Sequence, residues 1–270
     1  MKKLNFYKYK AIDLRKKLFE KFFLLQEGHP GSVFSILDVL IVLYYGKFIR
    51  IKKGKPLDDV IMSKGHATVG QYPILSDLKV IKKKNWNNWG KNLNTSLRMF
   101  GNHNIPGIKV SSGSLGHGIG LASGIGFSAR KNLKNKQVYV IISEGELYEG
   151  STWESLLLLA ELKLENVFII LDINNNIILG DPKKCLSLGN IKKKFRSFDI
   201  YTDECDGHDF LNIEKKLNKM NKLKKPKCLI VNTIKGKGFK MMENKSKWHY
   251  WNSISDIEYK QSLLFLDSKK

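Results

Sequence analysis

The sequence has little cysteine and no long apolar run, and each shortage excludes a class of protein. Its 270 residues contain three cysteines, an odd number without the spacing of metal ligands, which argues against a disulfide framework or a zinc site. No apolar run reaches the roughly 18 residues of a membrane span. The lysine-rich start is not followed by the apolar segment of a secretory signal. We therefore expect a cytoplasmic protein without a membrane partner.

Arginine is also scarce, although the chain is strongly basic. The formal net charge is +22, with 47 Lys and Arg against 25 Asp and Glu, and nearly all of the positive charge is lysine. Proteins that grip phosphate backbones favour arginine for its forked side chain. Here the lysines are spread along the chain among many Asn and Ile residues, a pattern that indicates coding bias. We expect no nucleic-acid partner, whereas anionic substrates such as sugar phosphates are compatible with the charge.

The chain does contain a strand–helix–strand pattern. Two short apolar segments, Val138–Ile142 and Val167–Leu171, flank a segment of helical length, Thr152–Leu164. Strands joined by a helix with short connections are typical of parallel sheets. We predict an α/β protein of three layers, with a central, mostly parallel sheet and helices on both faces.

Polar turns follow both predicted strands. Glu144 and Gly145 lie in the first turn, and Asn174 comes thirty positions after Glu144 (174 − 144) in the second, with Asn176 close behind. Ligands of parallel sheets collect at the carboxyl ends of the strands. Carboxylate and carbonyl oxygens, together with phosphate, are the ligands of Mg²⁺. Each turn alone is more simply an ordinary polar loop, but the pair favours a site for a metal and a diphosphate.

Other patterns predict the elements around this unit. Apolar residues at near-helical spacing predict an amphipathic helix over residues 6–26 that is broken before Pro30. Ser35, with Asp38 three positions later, resembles a capping box and predicts the start of the next helix. The tail, residues 266–270, is predicted to be disordered.

Six separated segments resemble, in order, the motifs of thiamine diphosphate enzymes of the transketolase family. As they stand here, they are HPGSVFSILDVLIVLYYGK, SKGHA, SSGSLGHG, SEGELYEGSTWE with DINNNIILG, DGHD, and TIKGKG with WHY. The resemblance runs from about residue 10 to residue 252 and is closest to the amino-terminal subunit of split enzymes. It implies a single pyrophosphate-binding domain over residues 1–270, with residues 235–252 as a loop over the active site.

The resemblance also implies a metal site. Glu144, the side chain of Asn174 and the backbone carbonyl of Asn176 would bind Mg²⁺, or alternatively Ca²⁺ or Mn²⁺. Glu144 stands where the family has Asp, and its extra methylene displaces the carboxylate relative to the near-ideal octahedron that Mg²⁺ requires. The metal site could accordingly be adjusted, weakened or lost.

Further roles follow from the same resemblance. The residues implied to bind thiamine diphosphate are His66, Gly113, Ser114, Leu115, Gly145, Asn174 and His208. The residues implied to be catalytic, through contacts with substrate, are His29, His103 and His208. His249 is predicted to pack within its loop and to take no part in the chemistry. Glu149 and Glu154 align with carboxylates at the family's subunit interface.

The implied activity is that of a transketolase-like transferase. A two-carbon ketol unit would pass from a ketose or ketose phosphate to an aldose through thiamine diphosphate. The glutamate that activates the cofactor in the family lies on a pyrimidine-binding domain that these residues do not contain. We therefore expect activity only with a separate carboxyl-terminal subunit, as an α₂β₂ heterotetramer. Two alternatives stay open: the same chemistry on a non-pentose substrate in a specialised biosynthetic pathway, and a non-catalytic homologue with impaired metal binding.

Overall fold

Five parallel strands form the central sheet. The computed structural model describes residues 1–91, 96–132 and 135–269. Its strands are β1 (Ile51–Lys52), β2 (Lys55–Pro56), β3 (Asp59–Met62), β4 (Val138–Ser143), β5 (Val167–Ile173), β6 (Tyr201–Asp206) and β7 (Lys227–Asn232). The sheet has the order β3–β4–β5–β7–β6, and every neighbouring pair is parallel. Strands β1 and β2 form a separate antiparallel pair.

Helices surround this sheet. In the described ranges they are α1 (Lys2–Leu25), α2 (Pro30–Tyr45), α3 (Tyr72–Asp77), α4 (Lys83–Asn88), α5 (Gly118–Asn132), α6 (Gly150–Glu161), α7 (Pro182–Cys185), α8 (Ile191–Ser197), α9 (Phe210–Asn221) and α10 (Asp256–Asp267). None of these helices is both long and apolar enough to cross a membrane.

The two faces of the sheet are covered by different helices. Tyr139 and Ile141 of β4 pack into a core with α1, α2 and α9. Val140 and Ile142, on the opposite face, pack with α5, α6 and α8. Because successive side chains of a strand point to opposite faces, a strand buried on both faces is apolar throughout. The predicted three-layer α/β fold is confirmed.

The start of α2 differs from the prediction. The helix begins at Pro30, a position where the missing N–H of proline has no helical partner to lose. Ser35 and Asp38 therefore lie inside α2, and both are buried. Ser35 donates its hydroxyl to the carbonyl oxygen of Ser32, and Asp38 accepts hydrogen bonds from Arg15. The predicted capping box is wrong because both polar groups have other partners.

The carboxyl-terminal segment also differs. Helix α10 extends to Asp267, and Leu266 is buried against the main core. Ser255 and Glu258 form a capping box at the start of this helix. The predicted disorder is therefore wrong for residues 266–267, and Lys270 lies outside the described residues. The extent of the domain over residues 1–270 stays a prediction.

The register brings the ends of four strands together. Met62 of β3 lies beside Ile141 of β4, and Ser143 at the end of β4 lies beside Asp172 of β5. Asp172 in turn pairs with Val231 of β7. The segments that follow β3, β4, β5 and β7 consequently leave the sheet at one edge. Strand β6 lies outside this group, at the end of the sheet beyond β7.

Candidate active site

The segments after β3, β4, β5 and β7 enclose a cavity of about 660 Å³, a volume typical of cofactor sites. One wall carries oxygen donors and the other carries aromatic and imidazole rings. The residues most important for its chemistry are His29, Lys64, His66, Glu144, Asn174, Asn176, Lys235 and His249. Gly113, Leu115 and Gly145, predicted to contact a cofactor, line the same cavity.

The three predicted metal ligands lie on the oxygen-bearing wall. Glu144 opens a turn of 3-10 helix after β4 and is 6% exposed. Its Oε2 accepts a hydrogen bond of 2.9 Å from the backbone N–H of Asn175, so the longer carboxylate reaches the turn that carries Asn174 and Asn176. The Oδ1 of Asn174 accepts from the N–H of Asn176 at 3.2 Å. The turns after β4 and β5 are thus brought together.

The electrostatics of Glu144 favour a cation. Burial raises the pKa of its carboxyl group, partly offset by the N–H of Asn175, because the charged form is poorly solvated there. No group of three or more His, Cys, Asp or Glu suited to a metal occurs among the described residues. One carboxylate with amide and carbonyl oxygens is instead a donor set for a hard cation such as Mg²⁺ or Ca²⁺, completed by phosphate and water.

Glu146 is a buried carboxylate that sequence reasoning missed. It accepts hydrogen bonds from the N–H of Gly116 at 3.0 Å and from the hydroxyl of Ser63. Ser63 in turn accepts from the N–H of Gly118 at 3.0 Å. A Cβ at Gly118 would lie 2.1 Å from the Ser63 hydroxyl oxygen, so only glycine allows this approach. Glu146 therefore holds the glycine-rich loop against the ends of β3 and β4.

Three histidines cluster on the opposite wall. The ring centroids of His29 and His66 are 5.2 Å apart, and His249 lies 5.4 Å from His29 and 5.7 Å from His66. The Nδ1 atom of His29 is buried and has no hydrogen-bond partner among the described residues. An orphaned buried polar atom beside a cavity is expected to meet a ligand or water.

These imidazoles are neutral at physiological pH. Burial and the nearby Lys235 lower the pKa values of His29 and His249 to about 4. Burial, with Lys64 next, lowers the pKa of His66 well below its usual value. Each ring can therefore accept a hydrogen bond with one nitrogen and donate with the other without adding charge to the site.

We predict that His29 and His249 titrate near pH 4 in the folded chain. The folded state disfavours their charged forms, so protonation begins only well below the ordinary pKa of 6.5. Imidazole chemical shifts followed by nuclear magnetic resonance from about pH 3 to about pH 8, a range that includes the ordinary pKa, give the midpoints. Midpoints at or above the ordinary value would show that the rings are solvated and would contradict this geometry.

A buried ion pair lies behind the cavity. Lys64 pairs with Asp172, and both side chains are almost fully inaccessible. Asp172 also accepts hydrogen bonds from Ser35 at 2.7 Å and from Thr233. The charge of Lys64 is thereby neutralised inside the protein. The signal for this pair in the sequence is an acidic residue at the end of an otherwise apolar strand.

Lys235 and His249 are two more residues that sequence reasoning did not assign to the site. The Nζ of Lys235 donates to the carbonyl oxygen of Asn176 at 2.9 Å and to Nδ1 of His249 at 3.1 Å. Burial and the neighbouring Lys64 lower the pKa of Lys235 to about 8. Because Nδ1 of neutral His249 accepts this bond, its proton resides on Nε2. The prediction that His249 merely packs within its loop is wrong.

His208 is not brought to the cavity. Its Nε2 accepts the backbone N–H of Ile234 at 2.8 Å, so Nδ1 carries the proton and donates to Asp38 at 2.8 Å. Both ring nitrogens are therefore occupied within the protein. Asp38 is held charged, because Arg15 and His208 outweigh the effect of burial and keep its pKa at about 2. The predicted contacts of His208 with cofactor and substrate are wrong, since its turn follows β6, which β7 separates from the cavity.

Two other predicted residues also lie outside the cavity lining. His103 is exposed, and its Nδ1 lies 2.9 Å from the hydroxyl of Ser111. Ser114 lines a separate surface groove with Gly116 and His117. The roles predicted for His103 and Ser114 therefore have no support from the lining of this cavity.

Comparisons with known proteins agree with this arrangement. The model of the family described as transketolase, thiamine diphosphate binding domain, matches residues 19–256. One of the two subunits named for apulose-4-phosphate transketolase in Actinobacillus succinogenes is 32% identical over 231 residues, which are 83% of this chain and 82% of that protein. The 6-deoxy-6-sulfo-D-fructose transketolase subunit SqwG of a Clostridium species is 28% identical, with 89% of each chain covered.

Solved structures show the same fold. The transketolase of Campylobacter jejuni superposes with a TM-score of 0.80 at 24% identity, covering 97% of this chain. This chain spans about half the length of that protein, 47%. The superposed part of this chain includes the five-stranded sheet and the segments that enclose the cavity. The chain therefore belongs to the transketolase family, as its thiamine diphosphate binding domain.

Proposed function

We propose that this chain is the cofactor-binding subunit of a transketolase-like enzyme that moves a two-carbon ketol unit from a ketose or ketose phosphate to an aldose. The observation that carries the proposal is the single cavity in which Glu144, Asn174 and Asn176 face His29, His66 and His249. Bound there, thiamine diphosphate would supply a carbon nucleophile and an electron sink for cleavage of the ketose carbon–carbon bond.

The residues present fit that group and its metal. Glu144, the side chain of Asn174 and the carbonyl of Asn176 would hold Mg²⁺ against the diphosphate, with Ca²⁺ or Mn²⁺ as substitutes. The backbone of Gly113 and Leu115 borders the cavity and allows close approach. His66 and His249 would donate hydrogen bonds to phosphate oxygens, and His29, whose Nδ1 is orphaned, would contact the hydroxyl or carbonyl oxygens of the sugar.

The proposed partner is a second polypeptide that carries a pyrimidine-binding domain, in an α₂β₂ assembly. Ile178, Leu179 and Leu186 are exposed apolar side chains at the cavity, and a partner that covers them would complete the enclosure. Glu149 and Glu154 are exposed as well, as residues of a subunit interface would be. Two similar proteins of matching length are themselves named as subunits, which supports the same organisation here.

The sugar is proposed only as a class. One relative is named for apulose 4-phosphate and another for 6-deoxy-6-sulfo-D-fructose, so relatives with similar amino-terminal subunits are named for different ketoses. A non-pentose substrate in a specialised pathway is therefore a second candidate. Since Lys64 is neutralised by Asp172, the anionic end of the sugar is expected to be held by the partner.

The test is reconstitution. The purified chain is assayed with thiamine diphosphate, Mg²⁺, a ketose phosphate and an aldose, with and without a candidate pyrimidine-domain subunit. We expect transfer only with both chains present. Full activity of this chain alone would refute the split arrangement. Inactivity with a partner that binds and supplies its glutamate would favour a non-catalytic homologue.

A further inference from the structure

Lys235 is a buried cation without a counter-ion. Its side chain is 1% exposed and lines the cavity. It forms no ion pair with any residue in the described ranges 1–91, 96–132 and 135–269, unlike Lys64, which pairs with Asp172. Burying an ammonium group without a paired charge is costly. A fold that keeps such a group beside a cavity has a place for an anion.

The partners of Lys235 are neutral acceptors. Its Nζ donates to the carbonyl oxygen of Asn176 at 2.9 Å and to Nδ1 of His249 at 3.1 Å. The third contact, with Oδ1 of Asn176, is long at 3.4 Å. An ammonium group has three donors, so one of them is poorly satisfied and can turn to a ligand. The ammonium group also joins the oxygen-bearing wall of the cavity to the histidine wall.

Buried polar groups hold the backbone on both sides of Lys235. The N–H of Ile234 donates to His208, and the carbonyl oxygen of Lys237 accepts from Nε of Arg15 at 2.9 Å. His208 and Arg15 are themselves joined through Asp38, with bonds of 2.8 Å and 2.9 Å. This Arg15–Asp38–His208 network fixes the turn that carries Lys235. A cation whose stem is fixed in this way is pre-organised for a ligand.

The aliphatic stem of Lys235 is held as well. The N–H of Gly236 donates to the carbonyl oxygen of Gly31 at 2.9 Å. A Cβ at Gly31 would lie 3.1 Å from Cγ of Lys235. Helix α2 therefore packs directly against the stem, so the head group cannot swing into solvent without moving the loop.

The charge balance of the site needs another cation. A diphosphate carries more negative charge than one divalent cation neutralises, and Glu144 adds a further negative charge. Lys64 is already paired, and the three imidazoles are neutral. We infer that Lys235 is an anion-binding residue of this cavity, which contacts the diphosphate of the cofactor while keeping His249 in the tautomer protonated on Nε2. The inference rests on the proposed function.

The test uses inorganic pyrophosphate with Mg²⁺ as the probe, titrated calorimetrically into the full chain. Lys235→Met is expected to weaken binding by about tenfold or more, because a charge-assisted hydrogen bond is lost. Lys235→Arg keeps the charge and is expected to retain most of the affinity. Lys245→Met, which removes an exposed lysine of the same loop, is the matched control and should bind as the native chain does.

The outcomes separate the two ideas. If the native chain and Lys235→Met bind pyrophosphate within about twofold of each other, a difference worth less than one hydrogen bond, the inference fails and the proposed function stands. If the native chain binds neither pyrophosphate nor thiamine diphosphate, both fail. Lys235→Gln, which keeps a polar head group, replaces the Met variant if thermal unfolding shows that the latter is not folded.

Discussion

Replacing Glu144 with Gln is expected to weaken Mg²⁺-dependent binding of thiamine diphosphate by roughly 100-fold, because it removes the carboxylate from the metal-ligand set. The substitution keeps the size of the side chain and a carbonyl oxygen near the N–H of Asn175, so the fold should be unchanged. Calorimetric titration of the cofactor at fixed Mg²⁺ measures the effect. Glu161→Gln, at the exposed end of α6, controls for the loss of one negative charge.

Glu144→Asp completes this test. The structure places the longer carboxylate within hydrogen-bond distance of the Asn174–Asn176 turn, so the native chain is expected to bind the metal without this change. If Glu144→Asp binds the cofactor and the native chain does not, the chain is a non-catalytic homologue. Equal affinities of the native chain and Glu144→Gln would remove Glu144 from the metal site altogether.

Replacing His249 with Ala is expected to lower the rate of two-carbon transfer by about 10²–10⁴-fold, the range for loss of a group that moves a proton or stabilises charge. The ring lines the cavity, and its Nε2 carries the proton. Few buried contacts depend on the imidazole, so the unfolding free energy should change little. Urea denaturation, together with steady-state kinetics in the presence of the partner, gives the two quantities.

His208→Ala is the matched comparison. It leaves Asp38 and the N–H of Ile234 without a partner, so a loss of about 1–3 kcal/mol in unfolding free energy is expected. The rate of the folded protein should fall by less than about tenfold, since the effect reaches the cavity only through the position of Lys235. The reverse pattern, with His208 catalytic and His249 structural, would contradict the roles assigned to the two histidines.

The sequence predicts the ligands on β4 and β5 because they depend on one local unit. The polar turns of Glu144 and Asn174 follow adjacent strands joined by a single helix, and parallel strands put such turns at one edge. Val138–Ile142 and Val167–Leu171 are apolar throughout, which indicates strands buried on both faces. For the same reason the three-layer fold is readable without the structure.

His208 and His249 could not be assigned in the same way, because strand order is not local. The DGHD turn follows β6, and only the placement of β7 between β5 and β6 removes it from the cavity. The same placement carries Lys235 and His249 to the site. Asp38 was misread for a related reason: its spacing from Ser35 suits a cap, but its partners, Arg15 and His208, lie far away in the chain.

The central claim, that the ends of β3, β4, β5 and β7 form a metal-dependent thiamine diphosphate site, is tested most directly by calorimetry on the native chain. Thiamine diphosphate is titrated in the presence of Mg²⁺ and again with a chelator in its place. The account predicts saturable binding of one cofactor per chain that requires the metal and is displaced by inorganic pyrophosphate. Absence of binding at cofactor concentrations of about 1 mM, where even weak complexes of about −4 kcal/mol form, or binding indifferent to the chelator, would contradict it.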